Sequence, residues 1–499
     1  MNYTVLKNNQ TVPLTSIPVL NYEKFLELNT SLLGEQCNHC VNYYGFPFQG
    51  KIKLICCIAN DKEGTIYVSS SHVDDKQSFP SFTRHRLAFE KFEREIHENF
   101  GINYIDHTWL KTVRYPFNRA DRNSTIANYP FFKIESEELH EVGVGPIHAG
   151  VIEPGHFRFI CNGEQILHLE IQLGFQHRGI ENLFLQKKKL LQRTTLAESI
   201  AGDTVAGHTT AFVNLWESLC NYEASDDLQF ARTLALELER IAIHTGDMSA
   251  LCTDIAYQLG SSVYGRLRTP LINYFQIWCG NRLAKGLIRA GKNNYPFTEK
   301  LRDELLALFD DYLPDFIEMN RKISTLPSVL SRFERTGVVT SEQAVSIGAV
   351  GMSARSSGVI RDIRASHPHD GYQHLQHQPV IKRHGDVYSR FQIRREEVKQ
   401  SISYIKKLLE NIPEKIGERM PLPPLPKESS FSISLVEGWR GEICHCAVTD
   451  EKGELLHYKI KDPSFHNWLA LALAVRNNEI SDFPICNKSF DLSYCGHDL

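Results

Sequence analysis

The sequence predicts an α+β fold in two parts. A small α+β domain covers residues 1–130, a linker 131–142, and a large, mainly helical domain with short β elements 143–499. Three observations carry this. Short apolar runs bounded by turn residues fill the first part. From Ile180 onward, apolar residues recur at i, i+3 and i+4 over long windows. Between the two, Ser124 to Glu141 has the character of a connecting segment.

In chain order, Lys51 to Ala59 is a buried-strand candidate. Gly64 to Ser69 follows an Asp-Lys-Glu-Gly turn, so the two predict a hairpin. Pro80 or Ser81 opens a helix through Leu87, Phe89 and Phe92 to Phe100, and Gly101 ends it. Phe157 to Gln172 is β-rich around an Asn162-Gly163 turn. Helical windows follow at 180–195, 197–220, 226–246, 297–324 and 393–411. A short β segment, Phe431 to Thr449, precedes the apolar run Trp468 to Val475.

The 499 residues are long enough for a large core, and 42% apolar with 23% charged residues fits a globular chain. A formal net charge of −4 argues against general nucleic-acid binding. No apolar run approaches the roughly 20 residues that span a bilayer, and Met1-Asn2-Tyr3-Thr4 opens no secretory signal. Membrane contact is therefore expected through partners only. Twelve cysteines in a chain of this length are no disulfide framework. Cys37-Asn38-His39-Cys40 lacks a second pair at zinc spacing and is taken as ordinary thiols.

Several motifs can carry chemistry. Gly145-Pro146-Ile147-His148 and Pro154-Gly155-His156 form a loop whose backbone can approach a small ligand closely; a structural turn is the alternative. His177-Arg178-Gly179-Ile180-Glu181 lies at a strand-to-helix junction, where Glu181 can equally be a first-turn carboxylate favoured by the helix dipole. Ala201, Thr204 and His208 are placed on one face of the 197–220 helix. Cys444, His445, Cys446, Cys486, Cys495 and His497 offer a candidate zinc set if they meet in space. His367, His369, His374, His377 and His384 crowd one segment, either a solvated loop or a pH-sensitive lid.

In order, the motifs Gly-Pro-x-His, His-Arg-Gly-Ile-Glu, Glu198…Gly202…His208 and Glu237-Leu238-Glu239-Arg240-Ile241-Ala242-x-His244 are joined by three more. These are Gly351 to Gly358, Gly385 to Phe391 and Glu437-Gly438-Trp439-Arg440-Gly441-Glu442. This series resembles the large subunit of energy-converting, formate-hydrogenlyase-type (hydrogenase-4) NiFe hydrogenases and the related quinone-site subunit of respiratory complex I. The N-terminal run Pro80-Ser81-Phe82-Thr83, Phe92 to Ile102 and His107 is similar to the 30 kDa peripheral-arm subunit of complex I. That likeness implies a docking domain with Glu93-Arg94-Glu95 at its surface.

The resemblance implies roles. Glu181 matches the carboxylate that relays protons, a task that suits a partly buried acid. His208 matches the histidine after the first thiol pair, and Arg440 the arginine beside the metal. His148 and His156 border the cavity where complex I holds a quinone. The metal itself is not implied: the first pair of thiol positions reads Ala201 and Thr204. The tail offers Ser493 and Gly496, or Cys495 with Leu492, so soft thiolate ligation of nickel fails. No cofactor is expected within the chain, and no Rossmann glycine fingerprint is present. The implied partners are an iron–sulfur small subunit and antiporter-like membrane subunits, with the chain cytoplasmic and peripheral to the cell membrane. The implied role is electron and proton transfer in a hydrogenase- or NADH dehydrogenase-like oxidoreductase complex. The alternative is a non-catalytic subunit that couples conformational change to ion translocation.

Overall fold

The computed structural model describes residues 2–149, 152–413, 422–423 and 425–499. The chain opens with β1 (Thr4–Leu6), β2 (Gln10–Pro13), β3 (Val19–Leu20) and α1 (Tyr22–Leu32). Three long strands follow: β4 (Asn38–Phe48), β5 (Lys51–Asn60) and β6 (Thr65–Val73). β4, β5 and β6 are antiparallel neighbours; β1 pairs antiparallel and β3 parallel with β6. The hairpin expected from the Asp-Lys-Glu-Gly turn is present, with Asn60 opposite Thr65.

The helix expected from Pro80 begins later, as α2 (Glu90–Phe100), and Gly101 at φ 71° ends it as predicted. The delay has a local cause. The Glu93 carboxylate accepts hydrogen bonds from the Ser81 and Thr83 hydroxyls (2.6 Å each) and from the Phe82 and Thr83 amides (2.7 and 3.0 Å). Residues 81–83 are thereby held as an irregular loop against the helix. This corrects the expectation of an exposed Glu93-Arg94-Glu95 surface: all three are buried. Arg94 bonds Glu90 and two carbonyls, and Glu95 pairs with Arg114 and Lys459.

β7 (His140–Val144), which starts inside the expected linker, joins β8 (His156–Asn162) and β9 (Gln165–Gln172) in an antiparallel sheet turning at Asn162-Gly163. The helical body comprises α3 (Ile180–Gln186), α4 (Leu190–Ala197), α5 (Val205–Leu219), α6 (Asp226–Asp254), α7 (Gln258–Cys279), α8 (Glu299–Ile323) and α9 (Val387–Glu410). The 180–195 window divides at Lys187, whose backbone is extended (φ −74°, ψ 127°). α7 has no counterpart among the predicted windows. Its apolar face, Tyr264, Leu267, Leu271, Tyr274 and Trp278, was periodic, but Gly260, Ser261, Ser262 and the internal Pro270 weaken the signal.

β10 (Ser430–Glu437), β11 (Glu442–Thr449) and β12 (Leu455–Lys461) make the last sheet. Helices α10 (Ser464–Ala474), α11 (Phe483–Phe490) and α12 (Tyr494–Asp498) close the chain. The fourth strand of this sheet is β2, so the order is β12-β11-β10-β2. Phe431 of β10 lies opposite Val12. Val41, Tyr44 and Cys57 share one apolar cluster with Cys444, Cys446 and Phe431. The ranges 1–130 and 143–499 thus share a sheet and a core. α5 is buried along almost its whole length between this sheet and α6. No helix among the described residues is long and apolar enough to cross a membrane.

Candidate active site

The site forms where three segments meet: the loop before α5, the tip of the β10–β11 hairpin, and the tail. Ala201 and Thr204 precede α5, with Thr204 at its N-cap, so the expected shared helix face does not exist. The Gly202-Asp203 turn holds that stretch out of the helix, and Thr204 N bonds Ala201 O at 3.1 Å. Trp439 and Arg440 form the two-residue tip between Gly438 and Gly441, whose backbones bond each other at 2.9 and 3.1 Å. Gly351 is where the tip packs. A Cβ there would meet Arg440 O and Gly441 Cα at 2.2 Å each, and its φ is +62°, so only glycine fits.

Arg440 fills the space between the loop before α5 and the tail. Its guanidinium pairs with both Asp203 oxygens (2.6 and 2.7 Å), donates to Thr204 Oγ1 (3.2 Å) and to Asp491 O (2.5 Å), and lies 3.9 Å over the Trp439 ring. Burial opposes its charge, but Asp203 outweighs that and holds it firmly protonated. Burial likewise pushes the Asp491 carboxyl up, yet Lys488 and Arg440 bring it down to about 2.

Arg178 fastens the first segment to the tail. It donates to Ser199 O (2.6 Å), Ile200 O (2.9 Å) and Cys495 O (3.0 Å). The tail sits deep: Asp498 accepts from the Gly174 and Gln176 amides, each at 2.9 Å, and Arg178 N and Ile180 N donate to Leu499 O.

A cavity of about 370 Å³ opens beside Arg440. His148, Glu153, Asp203, Asp254, Lys488 and Asp491 supply its polar lining, and Val144, Phe157, Leu492 and Tyr494 its apolar walls. Of the residues singled out in the sequence, His148 and Arg440 reach this cavity. His156 does not line it. The two histidines brace their loop reciprocally: His148 Nε2 donates to Gly155 O (2.8 Å) and His156 Nδ1 to Gly145 O (3.0 Å). Gly150 and Val151, in the middle of the His148 to His156 loop, lie outside the described residues.

Glu181 and His208 lie away from the lining. Glu181 Oε1 accepts from Ile460 N (2.9 Å) and pairs with Lys459 (3.1 Å), which also binds Glu95. His208 is fully buried and belongs to a hydrogen-bonded row. Its Nε2 meets Asp462 at 2.9 Å, its Nδ1 meets His445 Nε2 at 3.1 Å, and His445 Nδ1 meets Tyr458 OH at 2.7 Å. Burial raises the Asp462 carboxyl, but the His208 hydrogen bond outweighs it and holds Asp462 ionised. Burial, with His208 beside it, keeps His445 neutral. Asp462 also borders the tail: a Cβ on Gly496 would stand 2.7 Å from its Oδ2. A longer side chain at 496 would collide with it.

Asp203 and Asp462 were not picked from the sequence; His445 was named only within a candidate zinc set, and Glu239 only inside a quoted motif. Asp203 stood inside the quoted first motif and could have been weighed as the new partner of an arginine. Asp462 carried no local signal. Glu239 accepts from the Ala206 and Gly207 amides (2.7 and 3.2 Å) at the start of α5, and burial pushes it up to about 8.

The donor set does not fit a thiolate-held nickel–iron centre. Cys495 is the one thiol among the segment positions, and its Sγ lies 3.4 Å from Ser493 Oγ. The other candidate thiols are scattered. On β11, Cys444 and Cys446 face the N-terminal strands, where Asn42 approaches both, whereas His445 faces His208. Cys486 packs in a different cluster, and His39 binds Glu442 (2.6 Å) in place of a Cys37–Cys40 site. The histidine-rich segment also departs from a solvated loop. His367, His369 and His377 are buried, with His369 bonded to Asp370 (2.7 Å) and His377 to Asp362 (3.0 Å).

Below the hairpin tip lies a buried ladder of charges. Arg355 pairs with Glu397 and Glu437 (2.7 Å each), Arg364 with Asp362 (2.8 Å), and His244 with Glu397 (2.8 Å). Arg240 donates to Glu437 O (2.8 Å) and Gly438 O (3.2 Å), so the ladder carries the tip that presents Arg440.

The family profile described as the 49 kDa subunit of respiratory-chain NADH dehydrogenase matches residues 260–430. Hydrogenase-4 component G of Escherichia coli (strain K12) is 24% identical, over 91% of this chain and 80% of its own length. An NADH-quinone oxidoreductase C/D fusion protein of Phocaeicola vulgatus is 26% identical, over 87% of this chain and 89% of its own. A membrane-bound hydrogenase alpha subunit of Pyrococcus furiosus is 27% identical, over 70% of this chain and 85% of its own.

Proposed function

From its homology to the large subunits of membrane-bound hydrogenases and to the complex I 49 kDa subunit, we propose that this chain handles electrons and protons in a membrane-associated oxidoreductase complex without a nickel–iron centre. The cavity beside Arg440 carries the reading. Its size lies within the roughly 300–1,000 Å³ range of small-molecule sites, and it combines apolar walls with a few convergent polar groups. That chemistry suits a quinone-type carrier: a ring against Phe157 and Leu492, with oxygens toward His148 and Arg440. When bound, such a carrier would supply two-electron redox chemistry. The chain's own part is to orient it, exclude water and deliver protons. Asp462 and His208, beside the tail, are the proton-handling pair the geometry favours. Glu181, tied to Lys459, is the second candidate.

Electrons would come from iron–sulfur clusters of a small subunit, and attachment to the membrane would pass through antiporter-like subunits on the cytoplasmic side. The decisive experiment purifies the complex and measures nickel and quinone reduction together. Quinone turnover without stoichiometric nickel or hydrogen evolution is expected, and Arg440→Gln should weaken quinone use. About one nickel per chain would overturn the proposal. One observation favours the coupling alternative: the Arg440 guanidinium is already committed to Asp203, Thr204 and Asp491. An intact complex that reduces no quinone while still translocating ions would decide for it.

A further inference from the structure

A second cavity lies on the far side of the tail, between the N-terminal range and the large domain. α2 and the segment around Trp109 form one wall, and β9 and α10 the other. The connecting residues Tyr129 and Phe132 line it as well. We infer that this cavity is a binding site for a small organic monocarboxylate with a flat apolar body, such as an aromatic acid.

Size sets the body of the ligand. The cavity measures about 180 Å³, and an apolar cavity of about 150 Å³ accepts benzene. The walls are made for a ring: Trp109, Tyr129, Leu173 and Trp468 face the space.

Charge sets its sign. The carboxylates of the lining are already satisfied. Glu90 binds Arg94 and Trp109 Nε1 (2.6 Å), and Glu170 binds Lys111 (2.5 Å) and Phe132 N (2.8 Å). Of the cations, Arg94 is paired with Glu90, but Lys91 and Arg476 meet no carboxylate among the described residues. Lys91 Nζ meets only His497 Nε2, at 3.2 Å, and the face of Phe465, with no carboxylate within 4.0 Å among the described residues. Arg476 meets only His168, at 3.4 Å, and His168 Nε2 is buried without a hydrogen-bond partner. Lys91 is partly buried without a counter-ion and Arg476 stands exposed at the rim, so an anion is the natural complement of this end of the cavity. Burial also pushes the Lys91 ammonium down to about 7, a cost that a bound carboxylate would relieve.

The place of the cavity gives the ligand something to act on. Trp468 lines it, and Tyr494, packed edge-on at 4.8 Å, lines the cavity beside Arg440. Lys91 and His497 join α2 to the tail at the same point.

Benzoate is the probe, titrated into the purified full chain and followed by calorimetry and tryptophan fluorescence. One saturable site per chain is expected, with acetate and neutral benzamide each at least tenfold weaker. Lys91→Gln should weaken benzoate by a similar factor, and Ala472→Phe, which fills the cavity, should abolish binding; melting curves establish that both variants fold. Absence of saturable benzoate binding overturns the inference. Benzamide binding as tightly as benzoate overturns the anion recognition, and acetate binding as tightly overturns the ring pocket. These comparisons use the unaltered protein, so they decide even where a variant fails to fold.

Discussion

Arg440 and Arg355 are both buried arginines held by carboxylates about 2.7 Å away, yet their surroundings differ in kind. Arg355 sits in the charge ladder, where Glu397, Glu437, Asp362, Arg364 and Arg240 connect every rung. Arg440 faces a cavity, and its partner Asp203 is 38% exposed. The ladder is scaffold: it fixes the hairpin and the packing of α6 against α9. The cavity is lined by groups of mixed kind, with His148, Glu153, Asp254 and Lys488 beside Phe157 and Leu492, and they are not tied into one continuous set of ion pairs. Side chains at the cavity can thus be altered while the charged frame that aims Arg440 stays complete, because the frame's free energy depends on its own pairing and not on what the cavity holds.

The largest effect tests whether that frame is confined to the large domain. Removing residues 1–130 takes away β2, the edge partner of β10, and exposes Cys444 and Cys446. It also leaves Glu442 without His39. The chain from 143 onward is expected to be insoluble or non-cooperative in thermal unfolding, contrary to the independent folding that two domains in sequence suggest. A sharp, native-like transition would break the picture of one shared core.

Within the ladder, Arg355→Met leaves three carboxylates short of a cation. Breaking a buried pair by removing one partner costs roughly 3–5 kcal/mol, and denaturant unfolding should show a loss of that order. A loss below about 1 kcal/mol would mean that the ladder is no more than a set of surface-like pairs.

At the cavity the balance reverses. Arg440→Gln should cost less stability than Arg355→Met, because solvent reaches Asp203, while quinone turnover of the complex should fall tenfold or more. Equal stability losses with unchanged turnover would erase the distinction between the two regions.

Two carboxyls sharpen the comparison through pH. Burial pushes Glu442 up, but Lys461 and His39 outweigh it and hold it well below its ordinary 4.5. Its contribution is therefore complete above about 4.5 and drains away as pH falls through that depressed value. Glu239, raised to about 8 by burial, has the opposite sign: its contribution is complete below about 4.5 and is lost as pH rises through 8. Glu239→Gln should raise the melting temperature relative to the parent by more at pH 8 than at pH 5. An equal shift at both would show that Glu239 is ionised in the folded protein.

The smallest expected effect on stability is Glu181→Gln, at most about 1 kcal/mol, since the residue is partly exposed at a helix start. Its use is comparative. If protons pass through Asp462 and His208, Asp462→Asn should impair coupled turnover far more than Glu181→Gln. The reverse order would return the relay to Glu181.

Much of the architecture was written locally. The β5–β6 hairpin, the Asn162-Gly163 turn and the Gly101 helix end all rest on turn residues with fixed backbone preferences, and each was placed from the sequence. Helix starts were harder. α2 and α5 both begin late because distant or neighbouring side chains, Glu93 for the one and the Gly202-Asp203 turn for the other, compete with helical hydrogen bonding. α7 was lost because an internal proline and small polar residues hid a periodic face that packing against α6 rescues.

What the sequence determined by itself was the mixed α+β class, the order of motifs, and the absence of paired thiols at 201/204 and 493/496, since residue type alone limits what can hold a soft metal. What only the tertiary structure decided was which of those residues meet. It put His148 and Arg440 on one cavity, turned His156 and Glu181 away, and drew His208 into a row with Asp462, His445 and Tyr458. It also made the first strands part of the last sheet. These outcomes depend on contacts between residues hundreds of positions apart, such as Asn42 with Cys444 or Arg178 with Cys495, and no local preference encodes a contact of that range.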